Sequence, residues 1–246
     1  NQHWEYEWLH QIIAEHAPDQ PRLSGDAAQL VNRELPQRLL AEAALTSTLP
    51  RTVQREFLMT AFTRAMLLEQ DAKPLAAQLA VVDAKLAPYT KPYLDAATAA
   101  EGRFAAAFLL LHQPEAHPYV GAGISRDTAP GRLDSYRDNW WCPLEKAPAI
   151  QYAGYWQGRF EDSRRQAPPG SPAFLSRADS AEAAAEIRSL SRQPSSVDFL
   201  GGIVLGFAGG HPDDPRVPEA LHLVVRGARV SCAGPHSSQT TRAAFR

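Results

Sequence analysis

The chain has 246 residues, 44% of them hydrophobic, and a formal net charge of −2. That length is enough for one domain, or two small ones, with a sizeable core. The near-zero charge argues against a nucleic-acid binder, which would carry a basic patch, and the chain has no unbroken apolar run long enough to span a membrane.

In chain order, residues 1 to 16 read as a first helix with Trp4, Trp8 and Ile12 on one side, ended by Pro18 and Pro21. Residues 26 to 47 are rich in alanine and leucine and are interrupted by Pro36. Leu39, Leu40, Ala43 and Ala44 form the expected buried face of the second piece. Pro50 opens the next helix. Its broad apolar stripe is Phe57, Leu58, Ala61, Phe62, Ala65 and Met66, and Gln54, Arg55, Thr63 and Arg64 are expected outside it. Leu75, Leu79, Val82 and Leu86 recur at i, i+4, i+7 and i+11, with Pro74 in the first turn and Pro88 and Pro92 as punctuation. Phe104, Ala107, Phe108 and Leu111 mark a further helix closed by Pro114. Helices in succession, joined by proline turns, are the pattern of an α-bundle or an α-solenoid.

Residues 114 to 172 break that rhythm. Prolines and glycines are frequent, and Tyr119, Tyr136, Trp140, Trp141, Tyr152, Tyr155, Trp156 and Phe160 concentrate here. Flexible linkers lack aromatics, so the stretch reads as a long ordered loop region with short helices. Arg164 to Pro172 is its candidate mobile part. The expected division is residues 1–113 as an N-terminal helical array, 114–172 as an irregular aromatic and proline-rich insertion packed on it, and 173–246 as C-terminal helical repeats.

Ala183, Ile187 and Leu190 mark the helix that resumes the pattern. The next begins at Ser195 or Ser196 as N-cap and is lined by Leu200, Ile203, Val204 and Phe207. Gly202, Gly206 and Gly210 recur every four residues, as expected where a neighbouring backbone approaches closely. A buried strand over Phe199–Phe207 is the competing reading. Pro212 and Pro215 then flank two aspartates in a turn. Pro218 suits a first helical turn. Asp213, Asp214 and Glu219 place negative charge at the helix N-terminus, and Leu221, Val224, Val225 and Ala228 form its apolar stripe. Gly234-Pro235 stops it. Thr240 to Arg246 looks like the opening of another helix. The chain, which starts at Asn1 without Met, is expected to be a processed or truncated piece of a longer one.

The stretch His211-Pro212-Asp213-Asp214-Pro215 followed by Pro218-Glu219-Ala220-Leu221 resembles the junction between tetratricopeptide-like repeats of bacterial cell-envelope proteins. The likeness covers roughly 20 residues and lacks the small-glycine-tyrosine marks of a full repeat. It implies an all-α, right-handed α-solenoid or irregular helical array, an extracytoplasmic setting and a role in assembling a larger complex.

The sequence carries little that points to chemistry. His3, Glu5, Glu7 and His10 are metal-capable but lack the His-Glu-x-x-His spacing of zinc peptidases. There is no nucleophile elbow, phosphate loop or Cys–His signature. No catalytic residue, metal ligand or cofactor is assigned. Asp134 to Cys142 is the most distinctive stretch. Tyr136, Arg137, Trp140 and Trp141 within it, with Tyr155 and Trp156 beyond it, are binding-surface candidates, because exposed tryptophan, tyrosine and arginine dominate hot spots; the reading preferred for the stretch is a buried aromatic plug that caps the array. Cys142 and Cys232 are expected to form one bridge, against the alternative of two unpaired thiols. The leading expectation is a non-catalytic interaction scaffold that binds another protein. Its rivals are a metal-dependent hydrolase with ligands among His112, His117, His211 and His222, and a carbohydrate- or peptidoglycan-binding module using the tryptophans.

Overall fold

The computed structural model describes residues 23, 25–46, 48–121, 139–142, 175–232 and 234–246. The expected first helix with His3, Glu5, Glu7 and His10, the candidates Tyr136, Arg137, Tyr155 and Trp156, and the segment Arg164–Pro172 lie outside the described residues.

The described residues are mostly helical and contain no strand, which removes the strand reading of Phe199–Phe207. In chain order the helices are α1 Gly25–Glu34, α2 Gln37–Ala44, α3 Arg51–Leu67, α4 Lys73–Val82, α5 Ala87–Leu94, α6 Ala99–Leu111, α7 Arg177–Leu190, α8 Ser196–Gly210, α9 Val217–Val230 and α10 Ser237–Phe245. Prolines set many of the starts: Pro36 and Pro50 are N-caps, and α4, α5 and α9 carry Pro in the first turn, where a missing N–H is harmless. Thr98 with Glu101 and Ser176 with Asp179 form capping boxes at α6 and α7. Ser195 caps α8, its hydroxyl accepting from the Asp198 N–H.

The period Leu75–Leu79–Val82–Leu86 does not make one helix. Asp83 turns extended, its carboxylate accepts from the Lys85 N–H, and a 3-10 turn, Ala84–Leu86, leads into α5.

Packing follows chain order. α2 lies on α3, α3 on α4, α4 on α5, α5 on α6, α6 on α8, α8 on α9 and α9 on α10; α7 packs on α1, α9 also touches α6, and α10 also touches α8. One apolar core runs through all of them, from Leu23 to Ala244.

Helix α3 is buried around most of its circumference from Phe57 to Leu67, which corrects the outward placement of Gln54, Thr63 and Arg64. A buried polar group persists only when hydrogen-bonded, and each of these is. Gln54 Nε2 donates to Thr46 O at 2.8 Å, and Thr63 Oγ1 to Met59 O at 2.8 Å. Arg64, 2% exposed, donates to Pro118 O at 2.8 Å, Leu35 O at 2.9 Å and Asn32 O at 3.4 Å, with Glu186 4.0 Å away. Burial pushes its guanidinium down to about 10, against the opposing pull of Glu186.

After α6 the chain runs back over α3 as a strap, residues 113–121. Arg55 binds Gln113 and Glu115, each at 2.6 Å, and Asp83 at 2.9 Å. Glu56, Thr60 and Arg64, spaced one turn apart, hold Gly121 N, Tyr119 O and Pro118 O. Asn32 of α1 pairs with the backbone of Val120 through two bonds of 2.9 and 2.7 Å. All of these reach main-chain atoms except those made by Arg55, so the strap is fixed largely independently of its side chains.

Candidate functional site

The stretch singled out in the sequence, His211 to Leu221, joins α8 to α9. His211 caps α8: its backbone N–H and ring Nδ1 both face Phe207 O, at 3.0 and 3.2 Å. Asp214 accepts from the backbone N–H of Arg216 at 2.9 Å and from its guanidinium at 3.0 and 2.6 Å, and that pairing holds the Asp214 carboxyl below the usual carboxylate range. Arg216 in turn lies over the Phe104 ring, 5.0 Å from its centroid. Phe104 stacks on Phe207 at 4.0 Å, and Phe207 on His211 at 4.1 Å. A row of four planar groups, guanidinium, phenyl, phenyl and imidazole, therefore clamps the turn onto α6. His211, Asp214 and Arg216 are all consumed in building it, whereas Asp213 is exposed.

One turn further into α9, Glu219 meets His112, the C-cap of α6. The His112 ring is buried between Tyr89 and Phe108, with centroids 4.4 Å from each. Its Nδ1 lies 2.8 Å from Phe108 O and its Nε2 3.2 Å from a Glu219 carboxylate oxygen. A carbonyl can only accept, so Nδ1 donates there. Sequence reasoning placed His112 among metal-ligand candidates and missed Glu219 as its partner across 107 residues. The spacing Phe104–Phe108–His112, four apart each time, was the available signal that the ring belongs to an aromatic face.

His117 turns its Nδ1 to Glu115 O at 2.6 Å, and His222 is exposed on α9. No group of three His, Cys, Asp or Glu side chains able to hold a metal occurs among the described residues, so the four histidines proposed as a ligand set are not brought together.

Trp140 and Trp141 are buried, at 1% and 0% exposure, as a buried aromatic plug requires and as a binding surface does not. Trp140 Nε1 donates to Leu110 O at 2.6 Å, and Trp141 Nε1 to Pro194 O at 3.0 Å. The Trp140 N–H bonds Pro114 O, and Trp141 O accepts from Ser196 N. Asn139, also buried, donates to Val230 O at 2.7 Å. The four residues 139–142 thus wedge between α6, α8 and α9, and adjacent tryptophans serve different neighbours because the backbone between them is not helical. Trp140 adopts φ +53°, a left-handed conformation that costs a non-glycine residue about 1–2 kcal/mol and is sustained by the contacts around it. Cys142 and Cys232 are joined as a disulfide, with Cα atoms 4.9 Å apart, which fastens the wedge to the residues just after α9.

The buried face of α9 is Val217, Ala220, Leu223, Val224 and Gly227, not the Leu221–Val224–Val225–Ala228 stripe; three of those four residues are only half-buried. Gly227 is inward because Trp140 lies against it: a Cβ there would sit 2.8 Å from Cζ3 of the indole. The glycine row of α8 is corrected in the opposite sense. Gly202, Gly206 and Gly210 are exposed, and a Cβ on any of them meets nothing within 4 Å. The close approach is at Gly201, against Thr240 of α10 and Val224 of α9. The outward side of α8 is therefore glycine with half-buried Ile203, Leu205 and Ala208, and Asp198 is the one charged residue on the whole helix.

Leu111, Trp140, Ser196, Val197, Leu200, Leu223, Val224 and Gly227 line a small, partly open apolar pocket beside the wedge, too small for an organic ligand. Comparison of the chain with family models, curated proteins and solved structures gave no match.

Proposed function

We propose that this chain is a non-catalytic interaction scaffold, a tetratricopeptide-like array of helices that holds another protein in an extracytoplasmic assembly. The observation that carries the reading is the running order of packing. From α2 to α6, and again from α8 to α10, each helix lies on the next in sequence, the arrangement from which helical-repeat solenoids are built. The α8–α9 junction, where the sequence resembles an inter-repeat turn, spends its polar groups on its own geometry, as a structural joint does. The disulfide supports the compartment, because such bonds persist in oxidising surroundings.

Site-specific photo-crosslinking in cells, with the reactive residue placed in turn at exposed positions such as Gly206, Arg226 and Val81, tests the proposal. The expected result is one recurrent protein adduct confined to one side of the array. Adducts to no protein at any of these positions, or a purified chain that contains stoichiometric metal and hydrolyses ester or amide substrates, would overturn it.

A further inference from the structure

Helix α9 carries two parallel rows outside its buried face. Leu221, Val225 and Ala228, at i, i+4 and i+7, are half-buried, and Leu221 and Val225 pack against the edge of the core. One position on from each of them, His222, Arg226 and Arg229 are exposed. One residue is a step of about 100° around a helix, so the polar row lies beside the apolar row on its solvent side. Both rows rise about 10 Å along the axis. The side chains of Arg226 and Arg229 make no ion pair or hydrogen bond among the described residues.

The charge of this region differs from that of the chain. The net charge of the whole is −2, yet residues 220 to 246 contain no aspartate, glutamate or lysine, and their cations are Arg226, Arg229, Arg242 and Arg246, all exposed. Val224 of α9 and Thr240 of α10 both lie against Gly201, so α10 runs alongside α9 at the level of the two rows. The dipole of α9 favours a cation in its last turn and accounts for Arg229. It does not account for Arg226 in the turn before, or for an apolar row left half open beside the charges.

We propose that the two rows are a docking face for an acidic, amphipathic helix of the partner protein. Its aspartates or glutamates pair with Arg226 and Arg229, and its apolar side chains cover Leu221, Val225 and Ala228. The inference rests on the scaffold reading and names the chemistry of what the scaffold holds. Three features favour this occupant. A guanidinium presents a planar fork that matches a carboxylate in two parallel bonds, and the cations here are all arginine. An apolar row at helical spacing is what a helix laid in a groove covers. A lipid surface is held instead by bulky apolar side chains that reach into the bilayer, whereas this row is recessed and ends in alanine.

The test is selection of a display library of random helical peptides on the purified, oxidised chain. The expected winners carry Asp or Glu at i, i+4 and i+7 beside an apolar row. Their affinity is expected to fall about tenfold or more in Arg226→Glu/Arg229→Glu. In Arg226→Gln/Arg229→Gln, which sets no carboxylate against the helix dipole, a smaller loss is expected. Both variants change exposed side chains, and an unchanged Tm checks the fold before binding is read. Winners without an acidic row, or acidic winners that bind both variants as tightly as the wild type, overturn the docking face. So does tighter binding of the chain to phosphatidylglycerol vesicles or to duplex DNA than to any selected peptide. These measurements concern one face of the purified chain, so a failure here leaves the scaffold reading to the crosslinks at Gly206 and Val81.

Discussion

Replacing Gly227 by alanine puts one methyl group against the buried edge of Trp140. An added Cβ lies 2.8 Å from Cζ3 and 3.2 Å from Cη2 of the indole, well inside van der Waals contact. The indole has little room to retreat: it is 1% exposed, its Nε1 is bonded to Leu110 O at 2.6 Å, and its backbone N–H is bonded to Pro114 O at 2.6 Å. Overpacking of this kind costs about 1–3 kcal/mol. Removing a glycine from a helix interior returns about 1 kcal/mol, so a net loss of about 1 kcal/mol is expected. Gly206→Ala is the matched control. It makes the same change in helix propensity at a position where the new atom meets nothing within 4 Å, so it should gain about 0.5–1 kcal/mol. For a chain of this size 1 kcal/mol moves Tm by about 2–4 °C, and the two variants should melt on opposite sides of the wild type. Equal or same-signed shifts, measured by thermal and urea unfolding at pH 7, would refute the placement of Trp140 against α9 and the exposure of the α8 glycine row.

Reducing the Cys142–Cys232 bond opens a loop spanning 90 residues and is expected to lower stability by up to about 4–5 kcal/mol; urea unfolding with and without reductant reads this, and two titratable thiols in the denatured, unreduced chain would exclude the bond. Arg64→Ala leaves the carbonyls of Pro118, Leu35 and Asn32 without their donor inside the core and should cost about 3 kcal/mol or more, seen as a lower urea midpoint. Thr98→Ala removes the hydroxyl half of the α6 capping box, an expected loss of about 1 kcal/mol, whereas the same substitution at the exposed Thr52 should stay within about 0.5 kcal/mol.

The helices and their starts were legible because they are encoded locally. Prolines at first turns, Ser195 ahead of α8, and apolar residues at helical spacing act within one or two turns. What was not legible depends on groups brought from afar. Arg64 looks like part of a polar outer face until the carbonyls of Leu35 and Pro118 that satisfy it arrive. Glycine spacing marks a candidate contact but not which helix face meets a neighbour. Gly201 and Gly227 are the packed ones, and the regular row is not. The strap escaped notice because most of its anchors bond main-chain atoms, which carry no signature in the sequence. His112 found Glu219 rather than a metal because α9 returns beside the end of α6.

The covalent tie between the wedge and the end of α9 also governs what a protease can accomplish. A single cleavage of the backbone anywhere between Cys142 and Cys232 leaves both products attached through sulfur. The wedge would stay seated, since Trp140 and Asn139 grip Leu110 and Val230 on either side of it. A clipped molecule would sediment and elute as one particle, and its severed state would show only on a reducing gel. An oxidised chain thereby keeps its two pieces together after a nick, and only reduction would free them.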